Sequence, residues 1–119
     1  MTVLEAIHAF DSLKPNAYSQ EQKITWLDRL DSFVRVRILE AYPRLDCPPF
    51  TPGDPDRALL MQEPFTDAYI HWLESKVHYY NEETDRYNDA VRMFRGVFED
   101  YQRDLIQRNA PKNPGVFQF

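Results

Sequence analysis

An apolar ladder with steps of 3 and 4 residues runs without a slip from residue 70 to residue 105, and it constrains this chain more than any other feature. Its rungs are Ile70, Leu73, Val77, Tyr80, Thr84, Tyr87, Val91, Phe94, Phe98, Tyr101 and Leu105, and only Thr84 is neither apolar nor aromatic. Such spacing lays one stripe along one face of a helix. A strict period of 3.5 is the seam of a helix packed lengthwise on a partner. No proline interrupts the run, and Gly96 lies off the seam. The pattern predicts an all-α fold, a small helical bundle built for packing and assembly rather than for chemistry.

The remaining elements follow from caps and prolines. Thr2 and Glu5 have the form of a capping box, Val3, Ala6, Ile7 and Phe10 follow at helical spacing, and Pro15 stops this short helix. Ser19 and Gln22 repeat the capping form and open a helix over residues 19–42. It carries Ile24, Leu27, Val34 and Ile38 on one stripe, with Asp31 interrupting, and Trp26, Leu30 and Phe33 on another. That wide apolar face predicts partners on two sides. Residues 43–63 hold Pro43, Pro48, Pro49, Pro52 and Pro55 and read as a proline-rich central loop, with one possible helical turn over residues 57–61. Residues 64–108 read either as one long C-terminal helix spanning roughly 65 Å or as a helical hairpin broken near residues 81–85 or 88–89. Residues 109–119 read as an extended tail ending in Phe117 and Phe119. No strand-period segment, repeat or low-complexity tract is present.

With 119 residues the chain is sized for one domain with a modest core. Its net charge of -5 argues against gripping nucleic acid through a basic surface. Cys47 is the only cysteine, which excludes an internal disulfide and a cysteine metal cage. The start of the sequence lacks the pattern of a secretory signal, and no stretch approaches the ~20 apolar residues of a membrane span. A soluble protein made in the cytoplasm is expected.

Few constellations suggest chemistry. His71, Glu74 and His78 share a helical face and are the best metal candidates, but a polar face opposite the seam explains them as well. Glu82, Glu83 and Asp85 beside Arg86, and Glu99, Asp100 and Asp104 beside Arg103, read as solvated charge rather than acid–base pairs. Arg92, Arg95, Arg103 and Arg108 form a strip diluted by those acids. Cys47 has no base placed beside it and reads as a passive thiol. No phosphate loop or nucleophile elbow occurs. The expectation is no catalytic residue, no cofactor and no resident metal.

Three runs carry a family resemblance: LKPNAYSQEQKITWL at 13–27, PFTDAYI at 64–70, and YNEETDRYN at 80–88 followed by Phe94. Together they resemble small phage and prophage proteins of the head-morphogenesis region, the head–tail connector (adaptor, or head-completion) class of tailed phages. The resemblance covers residues 13–101. It implies an all-helical, non-catalytic virion protein of the neck, made in the host cytoplasm. Such a protein forms an oligomeric ring, commonly dodecameric, under the portal protein. The ring extends the channel through which genome DNA passes without specific binding, and it receives a downstream neck or tail protein. Residues expected at protein interfaces are Tyr80, Tyr87, Phe94, Phe98 and Tyr101 along the seam, Phe50, Leu59 and Leu60 in the loop, and Phe117 and Phe119 in the tail. The other class compatible with these features is a cytoplasmic helical binding module, such as a phage-encoded regulator.

Overall fold

The computed structural model describes residues 1–109 and is all-helical. Four helices follow in order: α1 (Val3–Leu13), α2 (Gln20–Ala41), α3 (Asp67–Tyr80) and α4 (Thr84–Arg108). Among the described residues there is no strand, only an isolated antiparallel bridge between Thr2 and Ala58.

Both capping boxes form. The Thr2 hydroxyl accepts from the Glu5 N–H while the Glu5 carboxylate accepts from the Thr2 N–H, and Ser19 and Gln22 do the same for α2. Two further N–H groups of the first turn of α1, those of Val3 and Leu4, donate to the carbonyls of Arg57 and Pro55. The start of a helix leaves such donors without partners inside it, and here the connecting segment satisfies them.

That pairing explains why residues 57–61 do not form the helical turn allowed by their sequence. Their backbone lies beside the N-terminus, with the Leu59 N–H donating to the Met1 carbonyl at 2.9 Å. Leu59, Leu60 and Met61 are buried one after another in the core with Val3, Phe10, Leu27, Val34 and Leu73. Burial of that core, at roughly 1.5–3 kcal/mol for each fully enclosed large side chain, is the main driving force for the fold. Helix α3 starts at Asp67 rather than at Pro64, because a turn precedes it in which the Phe65 N–H donates to the Gln62 carbonyl.

Residues 64–108 do not make one helix. The chain reverses at residues 81–83, within the polar run, and Glu82 takes a left-handed φ of 60° there. The resulting hairpin is joined by aromatic rungs: Phe65 with Tyr101 at 5.5 Å, Trp72 with Phe94 at 5.3 Å and Tyr79 with Tyr87 at 5.6 Å between ring centroids. Each step of seven residues forward, from Phe65 in the turn before α3 to Trp72 and Tyr79 on it, meets a step of seven backward along α4. On the α4 side these rings lie on the ladder; on the α3 side they lie beside it. The uninterrupted spacing therefore belongs to two antiparallel helices rather than to one.

Candidate interaction surfaces

The most tightly organised polar site is buried. Asp31 occupies the slot in the α2 stripe between Leu27 and Val34, and it has no exposed surface. Its Oδ2 accepts from the Arg57 guanidinium at 2.6 Å and from the Leu60 N–H at 3.1 Å. Its Oδ1 accepts from the Tyr69 hydroxyl at 2.6 Å, and that hydroxyl accepts from the Met61 N–H at 2.8 Å. Arg57 also reaches Asp28 at 2.9 Å, and Asp28 in turn accepts from the Gly53 N–H at 2.8 Å.

Burial, reinforced by the Asp31 charge, pushes the Tyr69 hydroxyl well above its ordinary range and keeps it a neutral donor. Burial alone would lower the Arg57 pKa, but its bonds to Asp31 and Asp28 outweigh this and raise it. Both oxygens of Asp31 are engaged, accepting three hydrogen bonds between them, and the group is sealed from solvent, so it is closed to a substrate. Its effect is mechanical: it ties residues 53–61 to α2 and α3.

Phe50 lies in this same segment. The guanidinium carbons of Arg57 and Arg35 sit 4.9 and 5.3 Å from its ring centroid, and Arg35 also bonds the Pro48 carbonyl. Phe50 is thus half-buried against its own chain. Leu59 and Leu60, expected from sequence to touch another protein, are 1% and 7% exposed and belong to the internal core. The reason is the backbone pairing with α1, which turns this stretch inward.

The seam aromatics divide. Tyr101 is buried, and Tyr87, Phe94 and Phe98 are half-buried along the hairpin. Tyr80 is half-exposed, stacked on Trp26 at 5.6 Å with the rings 9° from parallel. Tyr79 stands next to it, and Tyr18 completes the cluster by donating from its hydroxyl to Asn81 at 2.6 Å. Phe117 and Phe119 lie outside the described residues.

Larger apolar side chains are left open on every helix, among them Leu13 at the end of α1 and Tyr79 and Tyr80 at the end of α3. Phe33, Val36 and Leu39 are 54%, 62% and 48% exposed on α2, and Met93 and Ile106 are 56% and 59% exposed on α4. Phe33 belongs to the second α2 stripe, so that stripe is covered by the chain only over Trp26 and Leu30. Between the C-terminal ends of α2 and α4 lies a groove of about 490 Å³ lined by Ile38, Tyr42, Phe98, Leu105 and Ile106 among others.

The polar constellations resolve into local pairs. His78 Nδ1 is 3.1 Å from Glu83 Oε1 and its Nε2 is 3.8 Å from Glu74, and the His78 contact, then that of Asn81, holds the Glu83 carboxyl below its ordinary range. Among the described residues no group of three His, Cys, Asp or Glu is arranged to hold a metal ion. Arg86 pairs with Glu83, Arg92 with Asp89, Arg103 with Asp100 and Arg108 with Asp104, so four of the five arginines of α4 are paired with acids on the same helix or at its start. Exposed pairs of this kind add little stability. Cys47 is half-buried, with its Sγ 3.8 Å from the Leu45 carbonyl.

Asp31, Arg57 and Tyr69 are what sequence reasoning missed. The signal was present: a carboxylate at the centre of a regular 3–4 apolar stripe requires a buried partner. No helix among the described residues is long and apolar enough to cross a membrane. Comparison with protein families, with characterised proteins and with solved structures finds no match.

Proposed function

We propose that this chain is a structural virion protein, a head–tail adaptor that assembles as a ring under the portal protein, extends the DNA channel and joins the head to a downstream neck or tail protein. The reading rests first on the sequence runs at 13–27, 64–70 and 80–88. The structural support is the open apolar face of α2, made by Phe33, Val36 and Leu39, together with the exposed Met93 and Ile106, which stand singly on different sides of α4. A closed ring is built head to tail and needs two different complementary patches on each subunit, whereas a two-fold dimer needs one self-complementary patch. The acidic balance, -5 overall, suits a channel wall along which DNA slides, since a basic lining would hold phosphates.

In this reading the subunits form a homo-oligomer, dodecameric in the usual case, located in the virion neck and without catalysis or cofactor. Tyr80 and Phe50 contribute at the edges of subunit contacts. The proline-rich segment, with Phe117 and Phe119, faces neighbouring proteins in the assembled neck.

Quantitative mass spectrometry of purified virions tests it. A copy number near that of the portal protein is expected. Absence from virions, with the chain found in the host cytoplasm on a single partner, would replace the adaptor by a binding module.

A further inference from the structure

The turn that joins α3 to α4 frames an open cavity of about 540 Å³. Three of its walls are tyrosine rings, Tyr79 and Tyr80 from the last turn of α3 and Tyr87 from the start of α4. Tyr79 stands between the other two. Its ring centroid is 5.1 Å from that of Tyr80, with the planes at 87°, and 5.6 Å from that of Tyr87, with the planes at 53°. The rings therefore make a corner rather than a stack. Tyr80 is held from behind, because one of its faces rests on Trp26 at 5.6 Å. Tyr79 and Tyr80 nevertheless remain 58% and 51% exposed.

The rest of the lining is polar and acidic: His78, Glu82, Glu83, Thr84 and Asn88. Contacts with His78 and Asn81 hold the Glu83 carboxyl below its ordinary range, so it is charged at neutral pH. Residues 81–88 carry three acids, Glu82, Glu83 and Asp85, against one cation, Arg86. Arg86 bonds Glu83 at 3.0 Å and does not line the cavity. Lys76, one turn before Tyr80, sits over the Trp72 ring at 4.3 Å and does not line it either. The C-terminus of α3 and the N-terminus of α4 meet here with opposite partial charges, which leaves the sign of the site to its side chains.

Open aromatic faces beside unneutralised carboxylates select for a cation, since the face of each ring is its negative side. An ammonium group is strongly hydrated and holds its water. A quaternary ammonium group instead offers methyl groups to the rings while keeping its charge, which is the chemistry that such aromatic corners recognise. We propose that this corner binds a quaternary ammonium group, with its methyl groups against Tyr79, Tyr80 and Tyr87 and its charge toward Glu82 and Glu83. The inference stands on the geometry of the turn and does not rest on the adaptor reading.

The test is a chemical-shift titration of the isotope-labelled full chain at constant ionic strength. The probes are choline, a free small cation, and the blocked amino acid trimethyl-lysine, a modified side chain. The control is the neutral isostere of choline, in which carbon replaces the quaternary nitrogen. Saturable shifts of the Tyr79, Tyr80 and Tyr87 ring signals and of the amides at residues 82–84 are expected with one cation or both. A Kd on the order of 1 mM suits a half-open corner, and the tighter probe names the source of the group. The neutral isostere is expected to leave these signals unmoved. Equal shifts with the isostere would make the corner merely apolar and overturn the proposal, as would shifts elsewhere on the surface or no saturation with either cation. Tyr79→Leu and Glu82→Gln, both at exposed positions, are expected to weaken binding several-fold while the helical circular dichroism stays unchanged. Undiminished binding in these folded variants would also overturn it.

Discussion

The Arg57 guanidinium lies 2.6 Å from the Asp31 carboxylate, and both side chains are sealed from solvent, at 1% and 0% exposure. One partner comes from a helix and the other from an irregular segment 26 residues further along the chain. Removing Asp31 leaves the buried Arg57 with Asp28 alone and strands the Leu60 N–H and the Tyr69 hydroxyl. Asp31→Ala is therefore expected to cost about 3–5 kcal/mol of unfolding free energy. Replacing both, Asp31→Leu with Arg57→Leu, is expected to cost less than the single change. Urea denaturation of the variants measures this, and a single change costing under about 1 kcal/mol would show that the pair is not the clamp described.

Tyr69 tests the same knot from its other side. Tyr69→Phe keeps the ring but strands the Met61 N–H and one oxygen of Asp31. A loss of about 1–3 kcal/mol is expected. Tyr101→Phe removes a hydroxyl that belongs to no such network and is expected to be nearly neutral at pH 7. Equal effects of the two changes in thermal melts would contradict the assignment.

Tyr101 governs behaviour at high pH instead. Burial raises its pKa from 10.0 to about 12. Above pH 10 the unfolded chain releases this proton while the folded chain retains it, so stability is complete below pH 10 and falls as the pH rises toward 12. A loss of about 2–3 kcal/mol follows from a shift of that size. Tyr69, raised in the same direction, adds to the decline. Urea midpoints measured from pH 8 to 12 are expected to fall, and Tyr101→Phe to flatten part of the curve.

Phe94 holds the middle of the hairpin, between Trp72 at 5.3 Å and Phe98 at 5.4 Å. Phe94→Asp places a charge among these rings and is expected to cost about 3 kcal/mol or more. Circular dichroism and a calorimetric melt would reveal it. A variant as stable as the parent would mean that the rungs do not hold α3 to α4.

Val36 separates folding from assembly. It is 62% exposed, so Val36→Glu is expected to change stability by no more than about 0.5 kcal/mol. In the adaptor reading the same change abolishes ring formation on the portal. Normal rings built from the variant, seen by negative-stain microscopy, would remove the α2 face from the interface.

How much of this was legible in the sequence depends on the distance over which each signal acts. The caps at Thr2 and Ser19 and the stops at Pro15 and Pro43 act within a turn, and they place the ends of α1 and α2 to within a residue or so. The ladder named the α4 side of the hairpin, while on the α3 side the rings in contact stand beside it, and it left open one helix or two, because spacing carries no record of direction. The reversal at Glu82 depends on α3 and α4 finding each other, which is a tertiary event. Residues 57–61 were misread for a similar reason. Their backbone partners are Met1 and Val3, far away in sequence, and that pairing turned Leu59 and Leu60 inward. Asp31 was noticed only as a gap in a stripe, since its partners Arg57 and Tyr69 come from separate segments.

The most direct test of the central claim is cryo-electron microscopy of purified necks or whole virions. The adaptor reading requires density for this four-helix fold in a ring immediately below the portal, with the α2 face of each subunit against α4 of the next. A neck fully accounted for by other chains, with none of this fold beneath the portal, would contradict it.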